Sequence, residues 1–445
     1  MKLRMNPPHC GIAPALLLAA LALPLHAKAE PHELVLHAGR AMPSLQVRVA
    51  DFEGPEQVLK GDAVIVPKPE KPRVPESVVG VHVSGKAGRR DALTLHWKGA
   101  WFASLRLVAA KPMDLRPYLP DGTLEFDLNA VDMAKAGLTF AMGCGKDCGR
   151  KLPYVLPSRA LQGKGWQHLS FSLQCFARDG NDFSAVTQPF VVDSSGTGEV
   201  AVANVKIVRN GQPNASCPDY RTESFTPAPL TQVWALEWWM QRHEKKLDDI
   251  RQLQAAGLKP GLIFIGDSIT QGWENEGKQA WAQHYAKHNA LNLGFGGDHT
   301  ENVLWRLQNG ELDGIAPKVA VMMIGTNNTG DRQEDPRTTA AGVKRLLEEV
   351  RTRLPGTKVL LLAVFPRGEK PDDPLRRLND RLNGLISGYA DGRSVFFLNL
   401  NETLANPDGT LSKDVMPDLL HLSEKGYALW AARMESTLQQ LLSQP

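Results

Sequence analysis

Residues 262–268 read LIFIGDS, a run of four apolar residues followed by Gly266, Asp267 and Ser268. An apolar run of this length, bounded by a glycine, is typical of a strand that is buried on both faces of a sheet. Such strands occur in parallel sheets that helices cover on both sides. The stretch therefore predicts the first strand of an α/β domain, with small and polar residues at its carboxyl end.

The same pattern recurs along the second half of the chain. The apolar runs that predict strands are Leu262 to Ile265, Ala290 to Leu293, Val319 to Ile324, Val359 to Val364 and Val395 to Leu398. Amphipathic stretches that predict helices include Thr300 to Leu307, Val343 to Leu354, Leu375 to Ile386 and Glu424 to Leu442. This alternation predicts a three-layer, flavodoxin-like domain with a five-stranded parallel sheet. We place it at residues 231–445, where it begins with a tryptophan-rich helix that ends at Gly257.

Residues 30–215 follow a different pattern. Short apolar or alternating runs recur between turns rich in Gly, Pro and Asp, and they are Leu45 to Val49, Ala92 to Trp97, Leu105 to Ala109, Leu124 to Leu128, Leu169 to Leu173 and Val200 to Val208. Many short strands without a long helical period predict an N-terminal all-β sandwich. The proline-rich residues 216–230 predict a linker between the two domains.

The first residues carry the features of an export signal. Lys2 and Arg4 form a basic start, and an almost unbroken apolar run follows. Ala27 and Ala29 then provide small residues at the two positions that a signal peptidase recognises. We interpret residues 1–29 as a signal peptide rather than as a buried helix, so the protein is expected to be exported, periplasmic or secreted. No run is long enough for a transmembrane helix, so no integral membrane association is expected.

The net charge of +3 comes from the predicted signal peptide. Lys2, Arg4 and Lys28 lie in that segment and no acidic residue does, so the remaining chain carries no net charge. A chain without a basic surplus has no general attraction to nucleic acid or to an anionic membrane surface. We therefore expect no nucleic-acid partner.

Four cysteines remain after the signal peptide, at positions Cys144, Cys148, Cys175 and Cys217. An even number in an exported chain indicates two disulfides, and of the three possible pairings we expect Cys144–Cys148 with Cys175–Cys217. Zinc binding is the alternative, because Cys144 and Cys148 have a ligand-like spacing. The other two are far apart in sequence and no histidine lies at ligand spacing beside them, so we expect no metal site.

Polar and glycine-rich motifs follow the predicted strands on one rim of the sheet. They are Gly266 to Ser268, Gly294 to Asp298, Gly325 to Asn328 and, before the last helix, Asp418 to His421. Each motif alone is more often a turn, a loop or the start of a helix. Because ligands of a parallel sheet bind at the carboxyl ends of its strands, the four together predict an active site.

The residue types in these motifs fit nucleophilic acyl transfer. A serine hydroxyl such as that of Ser268 needs a neighbouring base, and His421 can be that base. Asp418 can bond the other imidazole nitrogen and fix its tautomer. Glycine N–H groups and an asparagine amide can stabilise the oxyanion that forms on the substrate.

On these motifs the second half resembles the SGNH/GDSL hydrolases, and among them the catalytic subunits of platelet-activating-factor acetylhydrolase. The similarity runs from about Trp234 to Leu442 and includes residues 264–268 (FIGDS), 296–298 (GGD), 303–307 (VLWRL), 309–312 (NGEL), 325–328 (GTNN), 366–371 (PRGEKP) and 420–422 (LHL). The export signal and the β-sandwich depart from that family and argue against a cytosolic phospholipid role.

The resemblance implies roles for eight residues. It implies a catalytic triad of the nucleophile Ser268, the base His421 and its partner Asp418. It implies an oxyanion hole formed by the N–H groups of Ser268 and Gly297 and the side chain of Asn327. It also implies a short acyl pocket closed by Ile269, Thr326 and Leu420. Ile269 replaces the leucine of the GDSL name, a change that conserves volume.

The first half resembles the galactose-binding-like β-sandwich appended to some exported family 3 β-glucosidases. The residues that carry this resemblance are Met142 to Cys144, Cys148-Gly149, Cys175-Phe176 and Ala203 to Val208. It implies glycan handling, with Trp97, Trp101 and Trp166 as candidates for stacking on sugars or, alternatively, as core residues. The domain either targets the enzyme to a glycan or covers an apolar flank of the second domain.

Together these observations predict an exported serine esterase. It hydrolyses a short acyl ester, O-acetyl in first place, on a carbohydrate through an acyl-Ser268 intermediate, and no metal or organic cofactor is expected. The alternatives are a lipid or lysophospholipid ester as substrate, transfer of the acyl group to a sugar hydroxyl, and a non-catalytic glycan-binding protein. The expected partner is an acylated small molecule or glycan, and no oligomeric state is predicted.

Overall fold

The structure, a computed structural model, describes residues 32–86, 88–145, 148–178 and 181–443, and only the backbone of residues 145, 148 and 149. The predicted signal peptide, residues 1–29, lies outside the described residues and stays a prediction. Glu33–Pro445 belongs to one compact unit. None of the described helices is long and apolar enough to cross a membrane.

Antiparallel strands make up the N-terminal part. Its described elements are β1 (Glu33–His37), β2 (Leu45–Asp51), β3 (Gln57–Val58), β4 (Ala63–Ile65), β5 (Val78–Ser84), β6 (Ala92–Ala109), β7 (Thr123–Lys135), β8 (Leu138–Gly145), β9 (Cys148–Tyr154), a short helix α1 (Val155–Ala160), β10 (Trp166–Ser172) and β11 (Gln188–Val208). Hydrogen bonds order the strands β10-β7-β11-β6-β2-β3. In addition, β1 and β8 pair with β11, β9 with β8, β5 with β6 and β4 with β5.

The long strand β11 is shared between the two layers of the sandwich. Its first part pairs with β8, and its last part pairs with β7 and β1. Strand β6 follows it along both parts, with register shifts around Gly196, whose φ of +80° lies in the left-handed region. The fold confirms the predicted β-sandwich, although the predicted strands Ala92 to Trp97 and Leu105 to Ala109 form one continuous strand.

Aromatic side chains fill the centre of the sandwich. In the contacting pairs the ring centroids lie 4.9 to 6.1 Å apart, among the four buried residues Phe126, Phe140, Phe171 and Phe190. Trp97 is also a core residue, and its indole N–H donates to the carbonyl oxygen of Ser195 at 3.0 Å. Of the three tryptophans that were candidates for sugar stacking or for the core, Trp101 is the exposed one, at 59%.

Strands and helices alternate through the second half. Within residues 181–443 they are α2 (Trp239–Ala255), β12 (Leu262–Gly266), α3 (Ser268–Gln271), α4 (Lys278–His284), β13 (Leu291–Gly294), α5 (Thr300–Arg306), β14 (Val319–Met323), α6 (Thr326–Asp331), α7 (Pro336–Arg353), β15 (Lys358–Leu362), α8 (Pro374–Ile386), β16 (Val395–Leu398), α9 (Asn401–Leu404) and α10 (Glu424–Ser443).

The five strands of this half are parallel and lie in the order β13-β12-β14-β15-β16. This is the flavodoxin-like order, in which the second strand is added on one side of β12 and the later strands on the other. At the point where the order reverses, a crevice forms at the carboxyl ends of the strands. Buried side chains cover both faces of β12, with Ile263 and Ile265 in one core and Leu262 and Phe264 in the other. The predicted five-stranded α/β domain is confirmed.

The tryptophan-rich helix begins later than predicted. Residues Val233–Ala235 form a separate 3-10 turn that contacts β11, and α2 starts only at Trp239. The predicted stop is present, because Gly257 follows α2 with a φ of +67°, a conformation that glycine adopts without strain. The stretch that reads as one helix is therefore divided into a 3-10 turn, which contacts the β-sandwich, and α2.

The predicted linker, residues 216–230, is held against both domains. It contains a 3-10 turn, Glu223–Phe225, which contacts helices α5 and α7. The Glu223 carboxylate lies 3.0 Å from the guanidinium of Arg150 in the β-sandwich and 3.2 Å from that of Arg332 in the α/β domain. The linker thus contributes an ionic contact that joins the two domains.

One of the two expected disulfides lies within the described side chains. Cys175 and Cys217 are bonded, with their Cα atoms 5.6 Å apart, so the bridge ties the β-sandwich to the start of the linker. The expected Cys144–Cys148 bridge involves Cys148, whose side chain lies outside the described part of the chain. That pairing stays a prediction.

Candidate active site

Ser268 is presented at the start of a helix. It follows β12 directly and opens α3, which Asp267 caps by accepting a hydrogen bond from the Ile269 N–H at 3.0 Å. Asp267 is fully buried, and burial raises the pKa of its carboxyl to about 6. The Ser268 side chain lines an open cleft of about 540 Å³ at the carboxyl end of the sheet.

The three residues expected to form a triad are joined by hydrogen bonds. Ser268 Oγ lies 2.9 Å from Nε2 of His421, and Nδ1 of His421 lies 2.7 Å from Oδ2 of Asp418. An Nδ1–H that donates to Asp418 leaves Nε2 with the lone pair that can accept the Ser268 proton. The arrangement therefore fits a nucleophile, a base and the group that orients the base.

Asp418 is held in its ionised form. Burial acts to raise the pKa of its carboxyl, but hydrogen bonds from the side chain and the backbone N–H of His421 outweigh it and keep the pKa below its usual value. The N–H of Leu420 donates to the same carboxylate at 3.0 Å. An ionised Asp418 can stabilise the imidazolium that forms when His421 takes a proton.

Gly297 and Asn327 follow β13 and β14, the two strands that flank β12. Asn327 Nδ2 donates to the carbonyl oxygen of Asp298 at 2.9 Å, which ties its side chain to the turn after β13. Gly297 in that turn has a φ of +77°, and a Cβ there would lie 2.2 Å from the ring of Trp234, so no larger residue fits. With Ser268 after β12, the predicted oxyanion residues follow three adjacent strands.

The residues expected to close an acyl pocket do not line the surface of the cleft. Ile269 and Thr326 are each only 1% exposed, and Leu420 packs half-buried against the core on that side of the sheet. Described residues that line the cleft are Trp238, Ser268, Gln271, Gly272, Asn275, Glu276, Gly296, Pro417, Asp418, His421, Leu422 and Tyr427. A role for Ile269, Thr326 and Leu420 in acyl binding stays a prediction.

A buried charge cluster, which the sequence analysis missed, lies behind the Gly297 turn. The Asp298 carboxylate accepts hydrogen bonds from Trp239 Nε1 at 2.6 Å and from Arg306 Nε at 2.8 Å, and Arg306 also pairs with Glu311. Burial raises the pKa of Asp298 to about 7 although Arg306 acts to lower it. An arginine within the apolar VLWRL stretch was the available signal, since unpaired charges are rarely buried.

The described residues contain no group of three or more His, Cys, Asp or Glu side chains arranged to hold a metal ion. Beside Ser268, the imidazole of His421 is hydrogen-bonded both to the serine hydroxyl and to the Asp418 carboxylate. Each proton transfer that acyl transfer requires can therefore be assigned to His421, which contacts both Ser268 and Asp418.

Comparison with known proteins identifies the family. The chain belongs to the GDSL-like lipase/acylhydrolase family, whose model matches residues 264–429. It is 37% identical over 219 residues to platelet-activating factor acetylhydrolase IB subunit alpha1 of Pongo abelii, a match that covers 49% of this chain and 90% of the relative. The alpha2 subunit of Rattus norvegicus is 35% identical over 207 residues, 46% of this chain and 86% of that relative. The protein is a carboxylic ester hydrolase.

The first half matches a second family model. A model described as galactose-binding domain-like matches residues 69–207, as the sequence resemblance implied. The extra C-terminal domain of an exo-1,3/1,4-beta-glucanase from a Pseudoalteromonas species is 15% identical, with a TM-score of 0.32, over 41% of this chain and 95% of that one. The chain therefore combines a galactose-binding-like β-sandwich with an acylhydrolase domain.

Proposed function

We propose that this protein is an exported serine esterase that removes short acyl groups, chiefly acetyl, from a carbohydrate. The observation that carries the proposal is the continuous set of hydrogen bonds from Ser268 through His421 to Asp418 beside an open cleft. The pattern of residues 1–29 supports export. So does the Cys175–Cys217 disulfide, since disulfides persist in oxidising compartments.

The reaction follows from the positions of the three hydrogen-bonded residues. Ser268 Oγ attacks the ester carbonyl carbon while His421 Nε2 accepts the hydroxyl proton, and a tetrahedral oxyanion forms. The bond to the alcohol oxygen then breaks, His421 returns the proton to the leaving alcohol, and the acyl group stays on Ser268. Water, deprotonated by His421, then attacks the acyl carbon. The bond from this carbon to Ser268 Oγ breaks, His421 returns the proton to Oγ, and the carboxylic acid leaves.

Asn327 supplies an oxyanion donor in this mechanism, and its removal tests the assignment. We expect Asn327→Ala to lower kcat by about 10²- to 10³-fold with little change in KM, because the donor acts on charge that develops only in the transition state. Asn214→Ala is the matched control, since that amide bridges backbone groups within the β-sandwich. Equal activity of the two variants on an acetyl ester would contradict the assignment.

We base the expected acyl preference on Ile269 and Thr326, which adjoin Ser268 and Asn327 in sequence and are buried. We expect kcat/KM for 4-nitrophenyl esters to fall steeply from acetyl through butyryl to octanoyl. Each added CH₂ without an apolar site forfeits about 0.8 kcal/mol of possible burial. A preference for octanoyl over acetyl would remove the short-acyl part of the proposal.

A lipid acetyl ester is the second candidate, because the relatives are named platelet-activating factor acetylhydrolase subunits. The decisive measurement is acetate release from acetylated xylo-oligosaccharides compared with release from a 1-alkyl-2-acetyl-glycerophosphocholine. We expect faster release from the sugar at equal ester concentration. Release from the lipid alone would replace the proposed substrate class and leave the esterase mechanism in place.

A further inference from the structure

Two tryptophans form one side of the catalytic cleft. Trp238 lines it together with Ser268, and its ring comes within 3.4 Å of the position that a Cβ on Gly296 would take. Trp234, which is 50% exposed, packs on Trp238 with ring centroids 5.9 Å apart and leans over Gly297. We call Trp234 and Trp238 the aromatic wall. It lies directly beside the turn that carries the predicted oxyanion donor.

Polar side chains also line the cleft close to Ser268, beside the apolar Pro417 and Leu422. Gln271 is half-buried and accepts a hydrogen bond from the Gly296 N–H at 2.7 Å, while Asn275 and Glu276 are exposed. These three side chains follow Ser268 on α3 and the turn after it. The cleft therefore joins an aromatic surface to amide and carboxylate groups within reach of one bound molecule.

This combination matches the chemistry of a pyranose ring. A sugar has faces made of C–H groups, which pack on an indole, and a rim of hydroxyls, which need hydrogen-bond partners when they leave water. An alkyl chain in the same place would cover the aromatic wall but would bring apolar carbon against Glu276 and Asn275. Their loss of water contacts would go uncompensated. The surface is thus complementary to a sugar rather than to a lipid tail.

The aromatic wall is held by the segment that touches both domains. The Trp238 indole N–H donates to the carbonyl oxygen of Trp234 at 3.1 Å, and the Trp234 indole N–H donates to Gln232 at 2.6 Å. The 3-10 turn Val233–Ala235, which carries Trp234, contacts β11 of the β-sandwich, and Ala235 is buried. The β-sandwich therefore supports the wall, a contact that fits a covering role; glycan targeting by the same domain stays a prediction.

We propose that Trp238, supported by Trp234, is the platform on which the acyl-bearing sugar stacks, with Gln271, Asn275 and Glu276 binding its hydroxyls. This inference rests on the proposed function and assigns the part of the site that selects the alcohol side of the ester. The platform holds the sugar beside the Gly297 turn, so that an acetyl group on the ring lies next to Ser268.

The test uses the full-length chain with Trp238→Ala, Trp238→Phe and the control Leu385→Ala, an exposed apolar side chain on α8 outside the cleft. Acetate release is measured from acetylated xylo-oligosaccharides and from ethyl acetate, which has no ring to stack. We expect Trp238→Ala to lower kcat/KM for the oligosaccharide by about tenfold more than for ethyl acetate, mainly through KM. Trp238→Phe should recover most of this loss, and Leu385→Ala should match the wild type on both substrates.

Each outcome decides between the two proposals. A proportional loss on both substrates, or no loss on either, in a variant with an unchanged circular dichroism spectrum overturns the platform and leaves the esterase function untouched. If Trp238→Ala does not fold, Trp238→Phe and Trp238→Leu, which differ in the ring but fill similar space, take its place. A wild-type enzyme that hydrolyses ethyl acetate but no sugar acetate overturns the proposed substrate class instead.

Discussion

Replacement of Ser268 by alanine is expected to lower kcat for 4-nitrophenyl acetate by about 10³- to 10⁶-fold. The change removes the oxygen that lies 2.9 Å from His421 Nε2, so no acyl-enzyme can form. The residual turnover comes from direct attack of water on the bound ester. Substrate binding and the oxyanion donors still accelerate this attack. Burst kinetics in the wild type and their absence in the variant report the covalent intermediate directly.

The matched control is Ser387→Ala, because that hydroxyl lies at the end of α8 and donates only to the carbonyl oxygen of Gly384 among the described groups. The double variant Ser268→Ala/His421→Ala should lose little more than Ser268→Ala alone, since the two residues act as one unit. A folded Ser268→Ala enzyme with near-normal turnover would require a different nucleophile.

Replacement of Arg306 by methionine is expected to lower the free energy of unfolding by about 3–5 kcal/mol. The guanidinium pairs with Asp298 and Glu311, and none of the three side chains is exposed to solvent. Methionine removes the arginine charge that both buried acids share, and among the described side chains it leaves them with only the Trp239 contact to Asp298 and the His243 contact to Glu311. Arg251→Met is the control; its ion pair with Asp248 is more than half exposed, so we expect a change of about 1 kcal/mol or less.

The stability of the Arg306→Met variant should also depend on pH, in a direction that the pKa of Asp298 sets. Burial already raises the pKa of Asp298 to about 7, and removal of Arg306 takes away the charge that acts to lower it. A buried carboxyl with a raised pKa binds its proton more tightly in the folded than in the unfolded chain, so stability falls as pH rises. Urea denaturation at pH 5 and at pH 8 should therefore show the larger deficit at pH 8. A loss of stability that is equal at pH 5 and at pH 8 would contradict the assignment of this pH dependence to Asp298.

The α/β domain and its catalytic motifs were determined by the sequence alone. Fully apolar runs such as the one ending at Gly266 are a local property of the chain, and so is the helical spacing between them. Because parallel strands end on one rim, the motifs containing Ser268, Asn327 and His421 could be brought together without knowledge of any contact. The same local reasoning recognised the strands of the β-sandwich but divided β6 into two, since nothing local marks a strand that continues through register shifts.

Only the tertiary structure decided what surrounds the nucleophile. Trp238 reads as one member of an apolar helix stripe, yet it precedes α2 and lines the cleft, while the separate Val233–Ala235 turn contacts the β-sandwich. Ile269 and Thr326 adjoin catalytic motifs in sequence yet are buried, and Arg306 lies buried between two acids that are eight and five residues away. Burial depends on contacts between segments that are distant along the chain, and no local pattern encodes those contacts.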